Sequence, residues 1–538
     1  MWRVHIVTRY LSLLAVLTMP LVGCGTLIGL GAKEDEKILS WGDQGNGTYK
    51  NPLLKADYSD PDIVRVGDDF YLIASDFHFV GIQVLHSKDL VSWQIIGQVF
   101  DKLVMSPKYD QMKGYGEGTW APAIRYHNGE FYIFVCTPAD GLFMWHAKNP
   151  AGPWSQTVTV KSVERWEDPC PFWDDDGQAY LVHSLKGAGP LILHKMSPDG
   201  IRLLDDGREI YRGPVAEGPK FYKRHGYYYI SLPEGGVSTG WQTVLRSKDI
   251  YGPYERKQVL PAGSPHQGGM VELDNGQAWF ISFKSTGYLG RICYLNPVTW
   301  GQDDWPVFGD NGKPVDTWPK PNVGRTYPIA HPQSSDEFGS KALSPAWQWN
   351  HNPVPDAWTL GERPGWLRLK ARPAAGLSTA RNTLTQKLWD SAGIIDVKMG
   401  TGQMKDGQRA GFTFMSGSDF GWVGVGEENG VRKVMWDGGE GPILQANDVW
   451  LRGVNSGDTG RLFYSLDGKI WVDTGKSFKM VFKFWKGARI GIFSYGPSGG
   501  SADFDYVHYQ YAASTDALGL PALTMSRIRA LCAPALRR

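Results

Sequence analysis

Between about residues 60 and 300, apolar and polar positions repeat one pattern. A turn glycine opens onto aromatic strand residues, and short alternating strands follow. The instances are Gly67-Asp68-Asp69-Phe70-Tyr71, Gly129-Glu130-Phe131-Tyr132, Gly177-Gln178-Ala179-Tyr180, Gly226-Tyr227-Tyr228-Tyr229 and Gly276-Gln277-Ala278-Trp279. Successive glycines lie 62, 48, 49 and 50 residues apart. The outer part of the unit also recurs: His86-Ser87-Lys88-Asp89-Leu90 before Trp93, His146-Ala147-Lys148-Asn149 before Trp154, and Arg246-Ser247-Lys248-Asp249 before Tyr254. Five such units of about 50 residues, with no amphipathic helix among them, predict a five-bladed β-propeller.

Around Pro328 to Phe338 the period is lost. Strands still alternate with Gly/Asp turns up to about Tyr511, as in Trp366-Leu367-Arg368-Leu369-Lys370 and in Leu462-Phe463-Tyr464-Ser465 before Asp467-Gly468. That pattern predicts a β-sandwich. The chain start is different again. Arg3 and Arg9 precede an apolar run from Tyr10 to Val22, too short for a comfortable membrane span. Leu21-Val22-Gly23-Cys24 then resembles a bacterial lipobox, which makes Cys24 the expected lipidated residue. The expected organisation is a lipoprotein signal peptide at 1–24, a linker at 25–44, the propeller at 45–325, the sandwich at 330–512, and an unassigned, candidate disordered tail at 513–538. It implies export and lipid anchoring to a bacterial cell envelope, the outer membrane in a Gram-negative cell.

Composition narrows the partners. The 538 residues carry 56 basic and 55 acidic side chains, a net charge of +1, which argues against a nucleic-acid or polyanion partner. The 23 Trp fit β cores, and indole faces also cover the apolar C–H faces of sugar rings. Cys136, Cys170, Cys293 and Cys532 show neither metal-type spacing nor a paired framework, so they read as free thiols.

The chemistry lies just upstream of each turn glycine. The motifs are Ser59-Asp60-Pro61-Asp62, Gly118-Thr119-Trp120-Ala121-Pro122, Trp166-Glu167-Asp168-Pro169, Ala216-Glu217-Gly218-Pro219 and Pro265-His266-Gln267-Gly268-Gly269. Taking Asp60, Trp120, Asp168, Glu217 and His266 as one repeated position gives offsets of 7, 9, 9, 9 and 10 residues to the glycine. Equivalent positions on successive blades meet at the propeller axis. Three carboxyls, an indole and an imidazole are therefore expected around one funnel. Buried carboxyls are costly unless they act. Hydrolysis of a glycosidic bond uses two of them, one protonated and one ionised, and a third raises the acid by like-charge repulsion.

These motifs resemble glycoside hydrolase family 43, the five-bladed β-xylosidases and α-L-arabinofuranosidases, and the second domain resembles their concanavalin-A-like C-terminal domain. Asn51-Pro52 with Asp60-Pro61 is similar to the family's opening, whose Asp is the general base. The resemblance implies that Glu217 is the general acid and that Asp168 modulates it. It implies inversion, with the two reacting carboxyls roughly 6.5–9.5 Å apart around a water. Trp120 and Phe77 are implied walls of the sugar pocket, and Arg291 an implied hydroxyl ligand. His266 is an implied substrate contact and a candidate axial ligand to Ca2+; no cofactor is required. In Asp76-Phe77-His78-Phe79 a His stands where the family carries an acid. The expected activity is exo-hydrolysis of a terminal pentose from xylan-type hemicellulose, by a β-xylosidase or, next, an α-L-arabinofuranosidase. Two readings stay open beside it. One is a retaining fructan or sucrose hydrolase, which would carry Arg-Asp-Pro and Glu-Cys rather than the Glu-Asp-Pro and Glu-Gly-Pro present. The other is a non-catalytic, surface glycan-binding lipoprotein, which would tolerate loss of a carboxyl, yet all three are present.

Overall fold

The computed structural model describes residues 39–512. The signal segment with Cys24, residues 25–38, Cys532 and the 513–538 tail lie outside the described residues. Five radial sheets follow one another along the chain. Their innermost strands are Ser59–Val66, Trp120–His127, Trp166–Trp173, Lys220–Arg224 and His266–Glu272. Each then runs outward through antiparallel neighbours joined at the turn glycines. Helix among the described residues is confined to short 3-10 turns such as Pro107–Gln111. Cys136, Cys170 and Cys293 are free and buried.

The ring is closed from both ends of its chain. Leu54–Asp57 pairs with Arg291–Trp300 of the fifth blade. Thr48–Lys50 pairs with Gly42–Asp43 on one side and Thr317–Pro319 on the other. Asn51 clasps this seam: its Nδ2 donates to the carbonyls of Leu295 (2.9 Å) and Val315 (2.8 Å), and its Oδ1 accepts from Leu295 N–H (2.9 Å).

The second domain stacks two seven-stranded antiparallel sheets. Alternating residues of both inner faces, such as Leu367 and Leu369, Ile395 and Val397, Phe412 and Phe414, and Leu451, fill the space between them. One apolar core runs from the first and fifth blades into this sandwich. The expected linker differs at its end: from Leu39 the chain belongs to this core. Trp41 is fully buried, stacks on Trp389 (6.1 Å) and Tyr511 (6.2 Å), and donates from Nε1 to Asp390 (2.8 Å). An indole at the seam of two domains removes a large apolar surface from water, on the order of 2 kcal/mol.

Candidate active site

A strand sends consecutive side chains to opposite faces. The innermost strands break that rule at one place. Asp60, Ala121, Asp168, Gly218 and Gln267 all have left-handed φ, at 51°, 35°, 55°, 56° and 55°. The pairing register slips across this residue in blades one, two, three and five. Proline follows it in blades one to four. Such a bulge turns two successive side chains toward the axis. Left-handed backbone at non-glycine residues costs about 1–3 kcal/mol each and gathers at functional sites.

This corrects the phase expected from sequence. Asp60 and Asp168 occupy the left-handed position, but Glu217, Trp120 and His266 stand one residue before it, equivalent to Ser59 and Glu167. The carboxyls therefore form two adjacent tiers. The residues after the prolines form a third. There Asp62 pairs with Arg125 (2.7 Å) and Lys220 (3.8 Å) and plugs the axis.

Above the plug is a cavity of about 300 Å3, walled by Asp60, Asp168, Glu167, Glu217, Trp120, Phe77 and Arg291 among others. Asp60, Asp168 and Glu167 are each only 5% exposed. Asp60 is richly partnered. It accepts from Ser59 Oγ (2.9 Å) and Ser75 Oγ (2.7 Å), and Arg291 Nη1 lies 3.0 Å from its other oxygen. Asp168 accepts from the Gly218 amide (2.8 Å), which ties it to the residue beside Glu217. Burial, then the charge of Asp60, raises the Asp168 carboxyl. Burial, then Asp168 and Asp60, push Glu217 up to about 8 against the pull of Arg291. Glu167 is raised by burial and then by Asp168 and Glu217. Crowded carboxyls of this kind share protons, so a protonated acid and an ionised base coexist near neutral pH.

The sandwich completes the wall. A two-residue hairpin, closed by Lys483 N–H to Lys486 O (3.0 Å) and the reverse pair (3.1 Å), has Phe484 and Trp485 at its tip. Both tip residues are left-handed (φ 52° and 66°), the geometry of a type I′ turn, which normally takes Asn-Gly. Trp485 lines the cavity, meeting Trp120 edge-on at 5.9 Å and Arg291 at 5.7 Å.

The hairpin is held by buried ions. Lys486 Nζ donates to the Ser75 carbonyl (2.9 Å) and pairs with Asp57 (3.1 Å). Asp57 also accepts the Gly487 amide (3.0 Å) and the Arg291 amide (2.9 Å). Here two glycines are required: a Cβ on Gly290 would lie 2.4 Å from Asp57, and one on Gly487 2.5 Å from Leu289. Asp76 pairs with Lys387 (2.8 Å) and lies 3.7 Å from Arg489. Burial opposes ionisation of Asp57 and Asp76. The lysines outweigh it, with Arg489 assisting at Asp76, and hold both carboxyls below the usual range.

Residues 49–306 match glycosyl hydrolases family 43, and residues 335–510 match the β-xylosidase C-terminal concanavalin A-like domain. A putative β-xylosidase of Xylanibacter ruminicola is 47% identical over 84% of this chain and 87% of its own length. The chain belongs to glycoside hydrolase family 43. A non-reducing end α-L-arabinofuranosidase of Bacteroides ovatus is 36% identical over 60% of this chain and 65% of its own length. The crystal structure of a xylan β-1,4-xylosidase from Bacillus halodurans aligns with a TM-score of 0.75 at 26% identity, over 86% of this chain and 100% of that one.

Within this family 43 enzyme the structure brings together Asp60, Asp168, Glu217, Trp120, Phe77 and Arg291. Phe77 reaches the wall through a bridge to Thr119, with N–H to O distances of 3.0 Å both ways. Arg291 keeps a buried Nε with no partner in the protein. His266 is not brought into the wall; its neighbour Gln267 takes that place. Its Nδ1 lies 2.7 Å from Ser264 O, and burial lowers its pKa, leaving a neutral ring. A Ca2+ site does not fit here. Calcium takes six to eight oxygen ligands, whereas His266 offers one nitrogen beside the Arg291 guanidinium, and the axial Asp62 is already paired to two cations. His78 lies outside the wall too, ring on ring with Tyr115 at 3.6 Å and accepting from Gly116 N–H at 3.2 Å. Glu167, Lys186, Val237, Gln267 and Trp485 were missed. Aligning the first four repeats on their prolines finds Glu167, whereas blade five has no such proline to mark Gln267.

Proposed function

We propose that this family 43 glycoside hydrolase is an inverting, exo-acting β-xylosidase that releases terminal xylose from xylan-type hemicellulose. One observation carries the reading: a cavity of about 300 Å3 holds both a multiply hydrogen-bonded carboxyl and a raised one. A floor plugged by Asp62, Arg125 and Lys220, and a wall closed by Trp120 and Trp485, suit a chain end rather than a chain interior. Asp60 acts as base: its oxygens, fixed by Ser59, Ser75 and Arg291, take a proton from an incoming water. Glu217, raised to about 8, gives its proton to the leaving oxygen. Asp168, fixed by the Gly218 amide, keeps that proton on Glu217 by repulsion. Arg291, on the cavity wall beside Asp60, is the cation placed to meet a sugar hydroxyl.

The name of the Bacteroides ovatus relative favours a second reading, terminal α-L-arabinofuranose as the released sugar. Assays of protein lacking residues 1–24 on nitrophenyl β-xyloside and nitrophenyl α-L-arabinofuranoside decide between them. Proton NMR of the first-formed product should show the inverted anomer; retention would overturn the single-displacement role of Asp60. Export and lipid attachment at Cys24 belong to the same proposal, supported by the basic start, the apolar run and Leu-Val-Gly-Cys. Cys24→Ser should abolish palmitate labelling and release the enzyme from the membrane fraction; a membrane-bound variant would refute the anchor.

A further inference from the structure

Glu167 sits in the blade-three position that Glu217 occupies in blade four, and no role has been found for it. The bulge at Asp168 turns both Glu167 and Asp168 into the cavity. Asp60 has Arg291, and Asp168 has the Gly218 amide. Glu167 has no side-chain partner of either charge; the amides of Gly187 and Ala188 face it. Those amides belong to an exposed hairpin tip, where Lys186 also lines the cavity and lies 5.6 Å over the Trp120 ring. A buried carboxyl whose charge no protein cation offsets, and whose hydrogen-bonding capacity two amides fill only in part, is costly unless something else completes it.

We infer that Glu167 binds a hydroxyl of the sugar on the leaving-group side of the scissile bond, with Lys186 at the rim beside it. The position follows from the ring order. Glu217 protonates the leaving oxygen, and the neighbouring blade carries Glu167 between that acid and the mouth hairpin. A residue there meets the part of the substrate that departs the cavity. The reasoning rests on the exo-glycosidase reading above. As a carboxyl raised by its neighbours, Glu167 both donates and accepts hydrogen bonds.

The test compares Glu167→Ala and Glu167→Gln on two substrates, xylobiose and nitrophenyl β-xyloside, which lacks the leaving sugar. The expected result is a fall in kcat/KM for Glu167→Ala that is at least 10-fold larger on xylobiose, mainly through KM. Glu167→Gln, which keeps hydrogen-bonding capacity, should recover most of that difference. Equal falls on both substrates, or a displaced alkaline limb of the pH profile, would overturn the inference and make Glu167 a tuner of Glu217. No change on either would overturn it as well. Wild-type enzyme inert on both substrates would instead sink the β-xylosidase reading, so the two failures are distinguishable. Thermal melts of each variant confirm that folded protein is compared.

Discussion

Two buried clusters of carboxyls lie side by side in this enzyme, and they are built oppositely. In the cavity, Asp60, Asp168, Glu167 and Glu217 share the wall with one buried guanidinium, Arg291. At the seam between propeller and sandwich, Asp57 and Asp76 meet three cations, Lys387, Lys486 and Arg489, all of them buried. Burial and then excess negative charge raise the cavity carboxyls, and excess positive charge lowers those at the seam. Burial, and after it the neighbouring Lys486 and Arg489, drive Lys387 down to about 7 against the pull of Asp76. The cavity cluster holds more carboxyls than cations and the seam cluster more cations than carboxyls, with Arg489 Nε and Nη2 left without hydrogen-bond partners. They touch through Ser75, whose hydroxyl holds Asp60 while its carbonyl holds Lys486.

Removing one carboxylate from each cluster separates the two most sharply. Asp60→Asn should lower kcat/KM by about 10³-fold or more through loss of the general base, with a smaller fall in melting temperature than at the seam, because Arg291 loses Asp60 but keeps Asp168 and Glu217 nearby. Asp76→Asn strands Lys387 and Arg489 without their anion. Breaking a buried pair from one side costs about 3–5 kcal/mol, so a large drop in melting temperature is expected. Paired kinetics and calorimetry check this. If Asp60→Asn destabilised the fold as much as Asp76→Asn, the contrast would be lost.

The sequence disclosed the propeller and three of the cavity carboxyls for a local reason: a turn glycine before aromatic strand residues marks each blade without reference to the rest of the fold. It misplaced Glu217 by one position because left-handed backbone leaves no residue-type signal at Asp60, Asp168 or Gln267; Pro61, Pro122, Pro169 and Pro219 were the better ruler. The seam was illegible. Asp57, Asp76, Lys387, Lys486 and Arg489 look like ordinary surface residues until two domains bury them together. Trp485 was hidden because Phe484-Trp485 carries none of the Asn-Gly signature of its turn, and its partner Trp120 lies far back in the chain.

A smaller effect is expected where the seam reaches the cavity. Trp485→Ala removes an aromatic wall worth about 1–1.5 kcal/mol, equivalent to roughly a 10-fold rise in KM. Half-exposed Trp485 contributes little to the core, so the melting temperature should hold. Lys486→Met should raise KM similarly by freeing the hairpin, but with a lowered melting temperature, because Asp57 loses its cation. Equal melting temperatures for the two variants would show that the hairpin is not anchored by the ion cluster.

The smallest effect separates the clusters by pH. The folded pKa of Glu217 is raised above its unfolded value, so between about 4.5 and 8 the folded state binds more protons than the unfolded one. Stability then falls as pH rises through that window, and the full penalty is present above it. For Asp57 and Asp76 the folded value is lowered, so their contribution is present above the ordinary carboxylate range and is lost as pH falls. Glu217→Gln should therefore melt higher than wild type at pH 8.5, by about 1–2 kcal/mol of unfolding free energy, and match it near pH 4.5. The gain would appear in the variant that has lost its proton donor, because the burial and repulsion that keep the acid protonated also strain the fold once it ionises. Coincident melting curves at both pH values would mean that Glu217 is not held protonated by its neighbours, and the acid would have to be sought elsewhere on the ring.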